Sequence, residues 1–402
     1  MTTRRRRSPE RTRSRHPPPA AKAVRGHGFV RACGIEEDRP SPTGGAPQTG
    51  STGEPPGNLD HDRDHERNQT MNAFFKTAAA VAVVAGSLAA TAASATEINF
   101  GIISTESQQQ LRPKWEPFLA DMEKATGFTV KPFFASDYAG VIEGMRFGKV
   151  DLAWYGNKSA MEAVDRANGE IFAQTVDVSG NPGYWSLVLA PVDSPLNSVE
   201  DLLKCDKSLN FGLGDVNSTS GYLVPMTFVF AAAGVDPKTC FKTVTNANHE
   251  TNAMAVANGQ VDAAANNTES LALIEANQPE AFKKIKVIWK SPLIPSDPLV
   301  WNKELPEATK TALRDFVLTY GTEQSKGDVA REKEILAGLK WAPFRASDDD
   351  QLLPIRVMEI SKKIAQIEAN AEMPADQKAA EIEKLAAEKA GYEAKIIAKS
   401  QS

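Results

Sequence analysis

The stretch Gly148-Lys149-Val150-Asp151-Leu152-Ala153 recurs as Gly259-Gln260-Val261-Asp262-Ala263-Ala264, 111 residues further along the chain. In both copies the Gly follows a segment with helical spacing, as at a helix C-terminus, and Val-Asp then opens a short apolar run typical of a strand. The repeat indicates either two similar α/β units or a helix-to-strand joint common enough to occur twice by chance.

The first interpretation predicts which residues are equivalent. Tyr138 and His249 each lie 10 residues before the repeated Gly, and Tyr155 and Asn266 each lie 7 residues after it. Tyr138 and His249 would therefore begin equivalent helices, and Tyr155 and Asn266 would end equivalent strands. Helix starts and carboxyl ends of strands form the ligand crevice of open α/β sheets, so two such units facing each other predict a cleft between two lobes.

Strand-like runs alternate with helical segments on both sides of the repeat, which favours α/β architecture with mainly parallel sheets. From residue 355 the chain is rich in Ala, Glu and Lys, with helical spacing on both sides of Met373-Pro374-Ala375-Asp376. Residues 355–402 are therefore predicted to form a C-terminal helical extension. This extension either supports a homodimer or packs on its own lobe.

The first 70 residues differ from the rest of the chain. They contain 9 of the 25 Pro and 8 of the 27 Gly, and 13 of the 46 Lys and Arg. Such a composition buries too little apolar surface to offset ordering entropy, which predicts that residues 1–70 are disordered or are not translated.

Residues 71–95 have the pattern of a secretory signal. Met71 is followed by Lys76, an Ala-rich apolar run and Ala93-Ser94-Ala95. This predicts a translation start at Met71, cleavage after Ala95 and export to the periplasm. The apolar run is too weak for a membrane anchor.

Charge and cysteine content limit the remaining functions. Residues 96–402 contain 32 Lys and Arg against 42 Asp and Glu, which argues against a nucleic-acid partner. Cys205 and Cys240 either form one disulfide, as expected in an exported chain, or are free thiols. His249 is the sole histidine after residue 65, so no metal site is predicted, and no motif indicates a cofactor.

Three consecutive hydroxyls, Ser218, Thr219 and Ser220, precede an apolar helical segment. They indicate either an anion site at a helix start or simple N-capping by one of them. His249 lies in a polar stretch and is either a donor to the same anion or a surface histidine.

Glu269 and Asp297 are candidates for binding an ammonium group, or are loop carboxylates that cap backbone amides. Tyr138, Tyr155 and Tyr184 are candidates for a ligand wall. Core packing is the preferred interpretation for Trp154 and Trp185.

Several stretches resemble the periplasmic phosphonate-binding proteins of ABC-type phosphonate importers, over nearly all of residues 96 to about 360. The matching stretches are Ser136-Asp137-Tyr138-Ala139-Gly140-Val141-Ile142-Glu143-Gly144-Met145-Arg146-Phe147, Val150-Asp151-Leu152-Ala153-Trp154-Tyr155-Gly156-Asn157-Lys158, Gly183-Tyr184-Trp185-Ser186, Asn217-Ser218-Thr219-Ser220-Gly221-Tyr222-Leu223-Val224-Pro225, Val287-Ile288-Trp289-Lys290-Ser291-Pro292-Leu293-Ile294-Pro295, Asp297-Pro298-Leu299-Val300-Trp301 and Ser347-Asp348-Asp349-Asp350-Gln351-Leu352-Leu353-Pro354.

The resemblance implies a two-lobed periplasmic binding protein of type II that closes over its ligand and passes it to a membrane permease. The first lobe would contain residues 96–188 and 293–354, and the second lobe residues 189–292. Family contacts carried over by position imply a phosphonate group at Ser218, Thr219, Ser220, His249 and Tyr138. They imply an ammonium group, as in 2-aminoethylphosphonate, at Glu269, Asp297 and Tyr184.

Two other functions compete with an aminoalkylphosphonate receptor. One is a receptor for phosphate, phosphite or a similar oxyanion, whose ligand has no amine for the two carboxylates. The other is a hydrolase that uses Ser218 or Ser220 with His249, although the chain has no Gly-x-Ser-x-Gly elbow. A receptor without catalytic activity is the expectation.

Overall fold

The computed structural model describes residues 96–401. The predictions of a disordered or untranslated segment at residues 1–70 and of a signal peptide at residues 71–95 lie outside the described residues. Across the described part of the chain, no helix combines the length and apolar character needed to cross a membrane.

Thirteen strands and twelve α-helices alternate along the described residues. The strands are β1 (Glu97–Ile102), β2 (Thr129–Phe134), β3 (Leu152–Trp154), β4 (Gly169–Asp177), β5 (Gly183–Tyr184), β6 (Ser186–Pro191), β7 (Asn210–Leu213), β8 (Thr243–Asn246), β9 (Ala263–Asn267), β10 (Ile285–Lys290), β11 (Ile294–Pro295), β12 (Pro298–Asn302) and β13 (Trp341–Ala346). The α-helices are α1 (Gln108–Thr126), α2 (Tyr138–Arg146), α3 (Asn157–Arg166), α4 (Val199–Leu202), α5 (Pro237–Cys240), α6 (His249–Ala257), α7 (Thr268–Asn277), α8 (Pro279–Phe282), α9 (Glu307–Thr319), α10 (Val329–Gly338), α11 (Leu353–Ala369) and α12 (Ala375–Ser400). Two further helices are not α-helical. One, called here the 219–233 helix, is wound as a π-helix over Thr219–Leu223 and Met226–Phe230 and ends in a 3-10 turn over Ala231–Ala233. The other is a 3-10 helix over Asp349–Leu352.

Two sheets define two lobes. A six-stranded sheet in the order β13-β4-β12-β3-β1-β2 forms the first lobe, and a five-stranded sheet in the order β10-β6-β9-β7-β8 forms the second. The chain passes to the second lobe through β5 and returns through β11, and these two short strands pair with each other. This β5–β11 ribbon therefore joins the lobes.

The expectation of mainly parallel sheets is wrong, because both sheets are mixed. β2, β1 and β3 are parallel in one sheet, and β8, β7 and β9 are parallel in the other. β6 brings the chain into the second lobe, and β12 brings it back into the first. Both strands run antiparallel to their neighbours. Apolar strand patterns give no strand direction, and the two crossings between lobes impose the antiparallel pairs.

The internal repeat corresponds to two equivalent βαβ units. In each unit the order is the same, with the first strand between the second and the third. Gly148 and Gly259 both adopt left-handed backbone conformations, with φ of 64° and 66°, after α2 and α6. The prediction that Tyr138 and His249 begin equivalent helices is confirmed, since α2 and α6 start at these residues.

The repeated Asp performs the same task in both units. Asp151 Oδ2 accepts hydrogen bonds from the backbone N–H of Asn99 at 2.8 Å and from its side-chain amide at 3.1 Å. Asp262 Oδ2 accepts the matching pair from Asn210 at 2.6 and 3.1 Å. Each Asp thus ties the start of its third strand to the central strand of its own unit.

The lobes have separate apolar cores. An aromatic cluster fills the first lobe, in which Trp115 contacts Phe100, Trp154 and Trp341 with ring centroids 5.3 to 5.4 Å apart. Phe211 packs between Phe230 and Phe241 in the second lobe. Cys205 and Cys240 form a disulfide at the edge of that second core.

The C-terminal extension packs on its own chain. α11 lies against α3 of the first lobe and against the 219–233 helix of the second, and α12 packs along α11. Arg356 of α11 forms hydrogen bonds to both carboxylate oxygens of Asp165 in α3. The homodimer expected as one role of these helices stays a prediction.

The paired Asp–Asn contacts predict matched losses of stability. Asp151→Ala and Asp262→Ala should each lower the free energy of unfolding by about 1.5–3 kcal/mol, because two N–H donors lose a charged acceptor. Urea unfolding followed by circular dichroism measures this, with the exposed Asp193→Ala as the control. A loss at only one of the two positions would contradict the equivalence.

Candidate functional site

A cavity lies between the two lobes, with roughly 650 Å³ of atom-free space that is partly open to solvent. Helix starts and strand ends from both sheets surround it, as expected for a crevice of this architecture. The structure brings together here the residues predicted for the two ends of a ligand: Tyr138, Tyr184, Ser218, Thr219, Ser220, His249, Glu269 and Asp297.

One end of the cavity is formed by the start of the 219–233 helix. Ser218 is the N-cap, and its Oγ accepts the N–H of Gly221 at 3.0 Å. A Cβ on Gly214 would lie 2.5 Å from the Cα of Gly221, so only glycine lets the helix start sit this close to the end of β7. Pro225 lacks an N–H inside this helix, which is consistent with the wide π-helical turns around it.

His249 faces the same helix start. Its Nε2 lies 3.5 Å from both Ser218 Oγ and Ser220 Oγ. Asn267 donates from Nδ2 to this nitrogen at 3.2 Å, and its Oδ1 accepts the N–H of Ser270, which fixes the amide orientation. Burial lowers the pKa of His249 to about 4, so the ring is neutral at neutral pH. An Nε2 that accepts from Asn267 leaves the proton on Nδ1.

Thr219 and Ser220 also contact neighbouring elements. Thr219 Oγ1 accepts the backbone N–H of Lys158 at 2.8 Å, at the start of α3. Asn267 donates to Ser220 Oγ at 3.0 Å, and Ser186 Oγ donates to the carbonyl of Ser220 at 2.6 Å. The hydroxyl row is therefore held in place by β6, β9 and the first lobe.

The other end of the cavity is acidic. Burial, and then the charge of Asp297, raise the pKa of Glu269 to about 8, while a hydrogen bond from Trp341 acts in the opposite direction. Burial also raises the pKa of Asp297 to about 7, although Tyr184 and Asn157 donate hydrogen bonds to it. Two carboxylates thus share a poorly solvated region in which both cannot ionise freely.

Two tyrosines connect the ends of the cavity. Tyr184 Oη donates to Asp297 Oδ1 at 2.9 Å. Burial, followed by the charges of Asp215 and Asp297, raises the pKa of Tyr138, while Ser218 acts in the opposite direction. Both phenols therefore stay protonated and act as donors.

Tyr155 and Asn266, expected as cleft residues, do not line the cavity. Both are fully buried. Tyr155 Oη donates to the carbonyl of Val141 at 2.9 Å, and Asn266 Nδ2 donates to the carbonyl of His249 at 2.8 Å. Both side chains point away from the cavity toward the helix packed on their own strand. Their hydrogen bonds therefore fix the helices that begin at Tyr138 and His249.

Other cavity residues were missed by the sequence analysis. Core packing was preferred for Trp154, which does pack on Trp115 and Trp341 but also lines the cavity. The prediction of core packing is wrong for Trp185, which is only half-buried and has Lys290 Nζ 3.8 Å from its ring centroid. The further lining residues that no sequence signal singled out are Ile103, Thr105, Glu106, Leu111, Lys114, Trp115, Gly156, Asn267, Leu273, Leu339 and Trp341.

The geometry does not support the hydrolase alternative. A serine nucleophile needs a base with a free nitrogen and an acid that orients the base. Here His249 Nε2 accepts from Asn267, and Nδ1 has no hydrogen-bond partner among the described residues. Within residues 96–401 no cluster of three or more His, Cys, Asp or Glu could hold a metal ion.

Two lobes joined by a short ribbon, with a polar cavity between them, are the architecture of the two-lobed periplasmic solute receptors. Residues 100–352 match the family model described as ABC transporter, phosphonate, periplasmic substrate-binding protein. The chain belongs to this family. It is the substrate-binding component of an ABC transporter and not an enzyme.

Individual relatives agree with this assignment. The chain is 57% identical to the phosphonates-binding periplasmic protein of Escherichia coli over 273 residues, covering 68% of this chain and 79% of the relative. It is 31% identical over 221 residues to the phosphate-import protein of Mycolicibacterium smegmatis, covering 52% of this chain and 67% of that protein. The crystal structure of a binding protein component of the Pseudomonas aeruginosa ABC phosphonate transporter is similar, with a TM-score of 0.73 and 56% identity, covering 77% of this chain and 100% of that one.

The acidic pair predicts that the ligand-free protein loses stability as pH rises. Between about pH 6.5 and about pH 8 the unfolded carboxyls are already ionised, whereas the folded pair still gives up protons, so the free energy of unfolding should fall by about 1–2 kcal/mol. His249, whose pKa is lowered, contributes a constant amount above its unfolded pKa and loses it only as pH falls.

In Glu269→Gln the decrease in the free energy of unfolding between the two pH values should be less than half as large, since one member of the pair no longer ionises. Urea unfolding at the two pH values measures this. The control is Glu275→Gln on the exposed side of α7, and equal slopes for the two variants would contradict the prediction.

Proposed function

We propose that this receptor captures aminoalkylphosphonates, with 2-aminoethylphosphonate as the simplest case, and delivers them to its permease. The observation that carries the proposal is the division of one cavity into two chemically opposite ends. One end has hydroxyl and phenol donors around a helix start, and the other has the buried Asp297 and the half-buried Glu269, both with raised pKa values.

The donor end suits a phosphonate group. Ser218, Ser220 and Tyr138 supply O–H donors, and the start of the 219–233 helix favours negative charge. A dianion beside His249 would raise the pKa of the imidazole from its low value in the free protein and favour a second proton. Proton uptake on binding is then part of the same interaction.

The acidic end suits an ammonium group. Among residues 96–401 no Lys or Arg forms an ion pair with Glu269 or Asp297, in contrast to the nearby pair of Lys114 with Glu106. A ligand cation would lower the pKa values of both carboxylates by supplying the opposite charge. An alkyl chain between the two groups would lie against the rings of Trp154 and Trp341, which line the same cavity.

Unpartnered polar atoms support a polar ligand at this place. In the described part of the chain, three buried side-chain atoms have no hydrogen-bond partner: Trp154 Nε1, His249 Nδ1 and Ser270 Oγ. All three residues line the cavity. Buried polar groups are normally satisfied, so their concentration here is consistent with contacts made by a bound molecule.

A second candidate is a receptor for inorganic oxyanions, because one relative is a phosphate-import protein. Phosphate or phosphite would fit the donor end but would leave Glu269 and Asp297 without a cation. Their negative charge would then oppose an anion in the same cavity. The acidic end therefore favours a zwitterion.

Ligand series on two variants separate these candidates. Glu269→Gln should weaken 2-aminoethylphosphonate by about 10- to 100-fold, the cost of a charged hydrogen bond, and ethylphosphonate by less than about threefold. Ser220→Ala should weaken both ligands by about tenfold, since both present the same head group.

Isothermal titration calorimetry measures these affinities, with inorganic phosphate as a third ligand and Glu275→Gln as the control. Equal losses for both phosphonates in Glu269→Gln would refute the amine assignment. Tighter binding of phosphate than of either phosphonate by the wild type would favour the oxyanion receptor.

We also propose that the protein reaches the periplasm through a signal peptide at residues 71–95, as its family membership and the sequence pattern suggest. Expression of the gene in a Gram-negative host should yield a secreted form whose first residue is Thr96. N-terminal sequencing of the periplasmic fraction measures this, with Ala95→Pro as the variant that should block cleavage. A mature N-terminus upstream of Met71 would contradict the assigned start.

A further inference from the structure

Three helices of the first lobe begin at the cleft, and each receives a hydrogen-bond acceptor from the second lobe. The N-terminal N–H groups of a helix have no partner within the helix and need acceptors from elsewhere. The acceptors here are Glu250 for α1, Asp215 for α2 and Thr219 for α3.

Glu250 acts on α1. Its Oε2 accepts the backbone N–H of Ser107, the N-cap of α1, at 2.9 Å. Ser107 makes no side-chain cap, and the first turn of α1 contains no acidic residue. In a capping box the backbone N–H of the N-cap residue is accepted by a Glu or Gln side chain at the third helical position. Here a carboxylate of the opposite lobe takes that role.

Asp215 acts on α2 in the same way. Its Oδ2 accepts the N–H of Tyr138, the first residue of α2, at 3.1 Å. The N-cap of α2, Asp137, accepts a different N–H, that of Gly140. Asp215 therefore satisfies a donor that the cap of α2 leaves open.

Both carboxylates are also anchored in their own lobe. Asp215 Oδ1 accepts the N–H of Asn217 at 2.7 Å, and Glu250 Oε1 accepts from Gln278 Nε2 at 3.2 Å. One oxygen of each thus fixes the side chain, and the other oxygen reaches across the cleft. At α3 the N-cap is Gly156, which has no side chain, and Thr219 Oγ1 accepts in its place.

We propose that Glu250 and Asp215 are positioning residues for closure, which hold the two lobes together by capping first-lobe helices and thereby set how long the ligand stays bound. Neither residue lines the ligand cavity. Their hydrogen bonds across the cleft exist only when the lobes are closed, and each places negative charge at a helix N-terminus. Their contribution is therefore independent of the ligand's tail.

The test uses the full mature protein with 2-aminoethylphosphonate and ethylphosphonate, so it relies on the proposed function only for its probes. Glu250→Ala should raise the dissociation rate of both ligands by about tenfold, and by the same factor within about twofold, with the association rate unchanged. Stopped-flow fluorescence measures both rates. Asp328→Ala is the matched control, because Asp328 caps α10 within the first lobe and its loss should leave both rates unchanged.

A second variant removes the donor instead of the acceptor. Ser107 has a φ of −62°, which proline adopts, so Ser107→Pro deletes the N–H that Glu250 accepts without moving the backbone at that residue. The double variant with Glu250→Ala should dissociate no faster than either single variant. Additive effects would show that the two residues act separately and would overturn the proposal.

Distances between spin labels on the two lobes give a readout that needs no ligand. Glu250→Ala should shift the distance distribution toward separated lobes. Unchanged dissociation rates together with an unchanged distribution would overturn the proposal, as would a loss confined to one ligand. If the wild type binds neither phosphonate, the proposed function fails, and the spin-label distances alone decide the closure proposal.

Discussion

The candidate site depends on two carboxylates in one poorly solvated region, the buried Asp297 and the half-buried Glu269. Burial raises the pKa of both carboxyl groups, and the charge of Asp297 raises that of Glu269 further; among residues 96–401 no Lys or Arg forms an ion pair with either. Donors are concentrated at the other end of the same cavity, where Ser218 and Ser220 surround a neutral His249. Under the proposed function, the donors would bind the phosphonate group of a small zwitterion and the carboxylates would bind its ammonium group.

Two equivalent βαβ units, one in each lobe, form the walls of that cavity. Two βαβ units of the same order present α2 and α6 at corresponding edges of their sheets, and a matched Asp–Asn contact holds each unit in register. Because the β5–β11 ribbon joins the sheets, the two sets of helix starts meet in one place. The first unit contributes Tyr138 and the second contributes His249, so one repeated joint accounts for opposite walls of the site.

Sequence reasoning succeeded where spacing along one chain determines position. The offsets that placed Tyr138 and His249 at helix starts hold, since both helices end at a left-handed glycine and have the same length. It failed where the answer depends on side-chain direction: Tyr155 and Asn266 follow the same spacing but point away from the cavity. Contacts between distant elements could not be predicted either. Nothing in the sequence around Glu250 or Asp215 indicates that its carboxylate accepts a hydrogen bond from a helix in the other lobe.

The C-terminal extension also bears on the contact between the two lobes. α11 is fixed to the first lobe by Arg356, yet it lies along the 219–233 helix, which belongs to the second lobe and begins at the hydroxyl row. Met358 contacts the apolar residues of both lobes, and Lys362 Nζ lies 5.7 Å from the ring centroid of Tyr222. Methionine is unbranched and flexible and fills irregular gaps, which suits a contact shared by two lobes. Through α11 the C-terminal extension therefore contacts both lobes, although none of its residues lines the ligand cavity.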